Sequence, residues 1–276
     1  METIEVEELR MRYGGEQDVL QGVTFQGRRG EVLALLGPNG AGKSTTIEIL
    51  EGFRTRTGGR ATVLDADPAR GDERWRARVG IVLQSWRDHA KWRVRELLAH
   101  QARYYAARAW DPDELLAAVG LGDQARQRIA TLSGGQRRRL DLALGLVGRP
   151  EVLFLDEPTA GLDPHARREF HDLVRQVTAE HGSTVLLTTH DLDEAERLAA
   201  HIVILDAGRV IADGTAAELA GPDEVRWRID GRPYAETTPD PTRFAFELFG
   251  RFGEAVQDLE IRRSSLETTY LGLVRR

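Results

Sequence analysis

Cysteine is missing from all 276 residues. Its absence excludes disulfides, thiolate metal sites and a cysteine nucleophile together. No apolar run approaches the ~20 residues of a membrane-spanning helix, and the charged start, residues 1–12, has no signal-peptide stretch. The chain is therefore expected in the cytoplasm, reaching a membrane only through a partner. Positive charge is in deficit: Lys+Arg is 38 against Asp+Glu 44, a formal net charge of −6. That balance speaks against a general nucleic-acid binder, which needs a basic face. Lysine is almost absent, with only Lys43 and Lys91 beside 36 arginines, so each lysine stands out. What remains is globular in composition, 41% hydrophobic and 30% charged, and long enough for one large domain or two small ones.

Apolar periodicity outlines the organisation. Residues 3–13 alternate as a half-buried strand would, and residues 19–26 read as a second strand. Residues 32–36 form an apolar run closed by Gly-Pro-Asn-Gly, as a buried strand would. The same run-then-turn pattern recurs at 152–155 and 184–188, with helical stretches between. Buried strands alternating with helices predict a doubly wound α/β core. Residues 93–105, 112–119 and 134–147 read as helices with no strand among them, a helical insertion at about 86–148. Past Gly221 the pattern changes: a strand reaches Asp230-Gly231, a hairpin signal, then a helix (242–252), a strand (256–262) and a last helix (264–274). The expected division is 1–220 for the main domain and 221–276 for a small α+β tail.

Three motifs carry chemistry. Gly37-Pro38-Asn39-Gly40-Ala41-Gly42-Lys43-Ser44, followed by Thr45, fits G-x-x-x-x-G-K-S between a strand and a helix. Its glycines turn backbone N–H groups inward and the helix adds its positive end. Lys43 is expected on the β and γ phosphates of a nucleotide and the Ser44 hydroxyl on Mg2+. The apolar run 152–155 ends in Asp156-Glu157, at the carboxyl end of a parallel strand, beside the phosphate loop. Asp156 is expected to help hold Mg2+ and Glu157 to polarise the attacking water. Leu132-Ser133-Gly134-Gly135-Gln136 opens another helix with Ser133 as N-cap. This second anion-binding terminus lacks a lysine of its own. The economical reading is that it covers the γ-phosphate bound to another subunit, in a head-to-tail dimer with two ATP molecules between the chains.

The Leu132–Gln136 segment resembles the signature motif of ATP-binding cassette (ABC) ATPases, and the likeness is collinear from Ile4 to about Ala220. Tyr13 resembles the A-loop aromatic that stacks on adenine. Gln84 resembles the Q-loop glutamine that senses γ-phosphate and Mg2+. Gly161-Leu162-Asp163 resembles the D-loop that crosses the dimer, and His190 the H-loop histidine that contacts γ-phosphate. The resemblance implies the P-loop NTPase fold of ABC ATPases, with an antiparallel β subdomain, a helical signature subdomain and ATP with Mg2+ as cofactors. The cluster Trp86, Arg87, His89, Lys91, Trp92, Arg93 lies where the family docks its membrane partner, and local packing is an equal alternative. Arg137, Arg138 and Arg139 either add positive potential or are ion-paired on their helix.

One phosphate loop and one signature motif disfavour fused two-cassette proteins. Ser265-Leu266-Glu267-Thr268-Thr269-Tyr270-Leu271 resembles the closing motif of drug-exporter ATPases, departing from it at Thr268 and Tyr270. The resemblance thus implies the ATP-hydrolysing subunit of an exporter of drugs, lipids or polysaccharides. It works with a separate transmembrane permease and a second copy of itself, at the cytoplasmic face of the cell membrane. A non-transport clamp or scaffold and an importer ATPase are the alternatives.

Overall fold

The computed structural model describes residues 2–15, 18–83, 89–263 and 265–274. The chain forms two compact units, Met1–Asp213 and Gly214–Arg276. The expected boundary at 220 falls instead at the end of a short helix inside the second unit.

In the first unit, β1 (Glu2–Arg12) pairs antiparallel with β2 (Asp18–Arg28). Next come β3 (Val32–Leu36), the phosphate loop and α1 (Lys43–Leu50). β4 (Gly58–Val63) returns to the free side of β1, giving the sheet order β2-β1-β4. The short α2 (Glu73–Arg76) leads into β5 (Val79–Val82). Then come α3 (Val94–Ala102), α4 (Pro112–Ala118) and α5 (Gly134–Leu146), with no strand among the described residues between β5 and β6 (Val152–Asp156). α6 (Pro164–His181), β7 (Thr184–Thr189), α7 (Leu192–Leu198), β8 (His201–Asp206) and β9 (Arg209–Gly214) complete it.

The main sheet has the order β5-β6-β7-β3-β8-β9, and β5, β6, β7, β3 and β8 run parallel. β3 and β7 are buried at every position and β6 at all but its last. A parallel sheet covered on both faces demands such continuous apolar strands. Ile47, Ile49 and Leu50 of α1 belong to one buried cluster with Leu20 and Val23 of β2 and with Phe154 and Leu186 of the main sheet. Each such side chain contributes about 1.5–3 kcal/mol on burial, so the helix behind the phosphate loop is firmly seated. The structure is the P-loop α/β fold expected, including the antiparallel and helical parts.

The second unit consists of α8 (Ala216–Ala220), β10 (Asp223–Ile229), β11 (Arg232–Thr238), α9 (Pro241–Phe252), β12 (Val256–Arg262) and α10 (Leu266–Val274). Its sheet order is β11-β10-β12, antiparallel throughout. The hairpin turns at Asp230 and Gly231, both at positive φ (50° and 73°), as a two-residue hairpin turn requires. Val225, Trp227, Leu248 and Val256 form its small core.

Candidate functional site

Three neighbouring parallel strands, in the order β6-β7-β3, end at one edge of the main sheet. Each is followed by part of the site, as expected for ligands outside the carboxyl ends of strands. Gly37–Ser44 follows β3, Asp156 ends β6 with Glu157 next, and His190 follows β7.

The phosphate loop is pinned at both shoulders. Gly37 N–H donates to the Thr189 carbonyl at 3.2 Å, and Gly208 N–H donates to the Ala41 carbonyl at 3.0 Å. Gly42 is the N-cap of α1 in the left-handed conformation, φ 104°, with no side-chain cap. The first-turn N–H groups of α1 are thereby left for an outside acceptor. Lys43 is only 5% exposed, and its ammonium donates to the Gly37 and Pro38 carbonyls at 2.7 and 3.1 Å. Ser44 is exposed and Thr45 half-buried on the same turn.

Glu157 meets both other strands. Its Oε1 lies 3.7 Å from the Lys43 Nζ and 3.3 Å from the His190 Nδ1. Its backbone sits at φ 42°, a costly conformation for a residue with a side chain and one that collects at functional sites. Its N–H donates to both oxygens of Thr188, the carbonyl at 3.2 Å and Oγ1 at 3.0 Å. The same Thr188 hydroxyl donates to Asp156 Oδ1 at 2.5 Å. Thr188 thus holds the Asp156 carboxylate and the Glu157 backbone, a role that sequence reasoning did not assign. Its only trace in the sequence is a pair of threonines, Thr188 and Thr189, closing an apolar strand.

Electrostatics argue for polyphosphate and a divalent cation. Burial pushes the Lys43 ammonium below its usual pKa, with Glu157 and Asp156 opposing that shift. Burial likewise raises the Asp156 carboxyl, against the Thr188 hydrogen bond. A polyphosphate against Lys43 and a cation beside Asp156 would restore the charges that burial penalises. Ser44 and Asp156 offer the hard oxygen donors that suit Mg2+.

Tyr13 reaches this site from the end of β1. Its hydroxyl lies 3.1 Å from Thr45 Oγ1, and the Arg54 guanidinium stands 4.8 Å over its ring. The Arg54 contact was not foreseen in the sequence. Gln84 lies outside the described residues, as do Trp86 and Arg87.

The Ser-Gly-Gly turn is a closed capping box. Gln136 N–H donates to Ser133 Oγ at 3.2 Å, and Ser133 N–H donates to Gln136 Oε1 at 3.0 Å. A Cβ on Gly134 would meet Leu162 at 3.9 Å, and one on Gly135 would meet Ala166 at 3.2 Å. The signature turn therefore lies beside Leu162 and the first turns of α6 in its own chain. Asp163 caps α6, accepting from His165 and Ala166 N–H at 2.9 and 3.0 Å, and those bonds hold its carboxyl below the usual range. The arginines behind the turn are paired: Arg137 with Asp141 at 3.2 Å, Arg138 with the Leu83 carbonyl at 3.1 Å, and Arg139 with Glu169 at 2.8 Å. In the aromatic cluster, the Trp92 ring sits 5.5 Å from His89 and 5.2 Å from His100, which is packing within the helical part.

The ABC transporter family matches residues 20–160. The chain is 40% identical to the daunorubicin resistance ATP-binding protein DrrA3 of Streptomyces coeruleorubidus, over 96% of this chain and 80% of that one. It is 40% identical to a fluoroquinolones export ATP-binding protein of Mycobacterium tuberculosis, covering 79% and 72%. It is 39% identical to the Nod factor export ATP-binding protein I of Burkholderia pseudomallei, covering 85% and 82%. Among solved structures, the ATP-binding subunit of an ABC transporter superposes with a TM-score of 0.73 at 28% identity, covering 98% of this chain and 99% of that one. With the phosphate loop, both carboxylates and the histidine gathered at one sheet edge, the chain belongs to the ABC transporter family, among its exporter-type ATP-binding, ATP-hydrolysing subunits.

Proposed function

We propose that two copies of this chain close on two ATP molecules and drive a separate membrane permease for export from the cytoplasmic face of the membrane. The observation that carries the reading is the convergence of Lys43, Glu157 and His190 within 3.3 to 3.7 Å at the ends of three adjacent strands. Gly37 through Thr45 bind the phosphates, with Lys43 on the β and γ positions. Tyr13 offers its ring to the base. Ser44, Asp156 and Gln84 hold Mg2+, which neutralises charge on the phosphates when bound. Glu157 orients and polarises the attacking water, and His190 contacts the γ-phosphate.

Ser133, Gly134, Gly135 and Gln136 serve the nucleotide of the opposite copy, with Asp163 near the crossing. Closure is favoured by contacts to the γ-phosphate and lost with it, a ligand-driven shift between two states. The cargo is of the drug, lipid or polysaccharide kind. The daunorubicin, fluoroquinolone and Nod factor named for the relatives support that range.

Glu157→Gln tests this. The variant should bind ATP, lose turnover by about a hundredfold or more, and elute as a dimer in ATP during size-exclusion chromatography. A monomer with ATP bound counts against the sandwich.

A further inference from the structure

Behind the site, a buried polar knot joins the turn after Glu157 to the helix after His190. Thr159, His171 and Glu194 are 4%, 3% and 1% exposed. Thr159 Oγ1 donates to Glu194 Oε1 at 2.8 Å, and His171 Nε2 lies 3.1 Å from the same oxygen. Glu194 belongs to the first turn of α7, whose N-cap Asp191 directly follows His190. Asp191 accepts from Glu194 N–H at 3.2 Å and pairs with Arg167 of α6. The turn itself is wound by Ala160 N–H onto the Glu157 carbonyl at 3.2 Å and by Leu162 N–H onto the Thr159 carbonyl at 3.1 Å.

A buried carboxylate is costly unless its acceptor capacity is used, and a single hydrophobic contact would hold α7 more cheaply. Two further groups here, Arg167 Nε and His171 Nδ1, are buried without a hydrogen-bond partner among the described residues.

We propose that Glu194 is a positioning residue for ATP hydrolysis. It braces the turn 158–163 against the start of α7, so that Glu157 and His190, 3.3 Å apart at the site, move as one unit. The inference rests on the roles proposed above for those two residues.

Thr159→Val removes one hydroxyl at nearly constant volume, and Glu194→Ala removes the brace. Both should lower kcat by about tenfold or more, the scale of a small misplacement at a reacting centre. ATP affinity by calorimetry should stay within about twofold, a kcat loss without a binding loss. Thr159→Ser and Glu194→Gln, which keep donor and acceptor, should restore at least half the rate. Unchanged kcat in Thr159→Val overturns the inference, as does a loss that appears equally in ATP affinity. If Glu194→Ala does not fold, the near-isosteric threonine variant decides. If Glu157→Gln still hydrolyses ATP, the assigned roles fail rather than the brace. Amide exchange over 158–163 then reads the brace directly, faster in Thr159→Val if it exists and unchanged if it does not.

Discussion

Glu51 carries a carboxyl whose ionised form burial disfavours. It is 5% exposed at the C-terminal end of α1, and its Oε1 has no hydrogen-bond partner among the described residues. Burial, with Asp156 and Glu48 adding repulsion, pushes its pKa from 4.5 up to about 8. A folded-state value above the unfolded one means that its contribution to stability is complete below pH 4.5, falls as pH rises and is spent above about 8. The slope is about 1.4 kcal/mol per pH unit in that window. Melting temperature should therefore fall between pH 5 and 8 in the natural chain and fall much less in Glu51→Gln. Parallel curves for the two proteins would show that this carboxyl is not the titrating group. Contiguous motifs such as Lys43-Ser44 and Asp156-Glu157 were legible in the sequence because their chemistry is local. Glu51, Thr188 and Arg54 were not, because only packing decides which acid is buried and which cation covers a ring.

Within elements, the phosphate loop depends on backbone that only glycine adopts freely. At Gly42, φ is 104° and a Cβ would stand 2.6 Å from Leu20 Cδ2. Gly42→Ala should cost about 1–2 kcal/mol of stability and weaken ATP binding while leaving far-ultraviolet circular dichroism unchanged. Native melting and native ATP affinity together would contradict that dependence. The helices α4, α5 and α9 begin within a residue of their expected starts, because Asp111, Ser133 and Asp240 cap them with side-chain oxygens. β4, β8 and β9 were not read individually: β4 is Gly- and Arg-bearing, and β9 has only one fully buried position. β4 and β9 owe their strand character to the partners they pair with, whereas β8 carries its own buried apolar run, Ile202–Leu205. The closing Ser265–Leu271 stretch acquires a structural meaning in the second unit: Leu266 is fully buried, and Thr269 Oγ1 donates to the Ala220 carbonyl of α8 at 3.2 Å.

For the whole molecule, two compact units with separate cores should melt in two calorimetric transitions. ATP with Mg2+ should raise only the one belonging to Met1–Asp213, by about 2.7 kcal/mol at a hundredfold excess over Kd. One transition that shifts as a whole would contradict independent melting. The sequence by itself determined the buried strands, the helices with good caps and the identity of the phosphate-binding chemistry, since each depends on residues close along the chain. Tertiary structure decided the strand order β6-β7-β3 and the contacts by which Glu157 meets Lys43 from 114 positions away and His190 from 33. It also decided that Glu194, Thr159 and His171 share one buried oxygen. Strand order and burial are set by the free energy of packing the entire core, and no local run of residues encodes that sum.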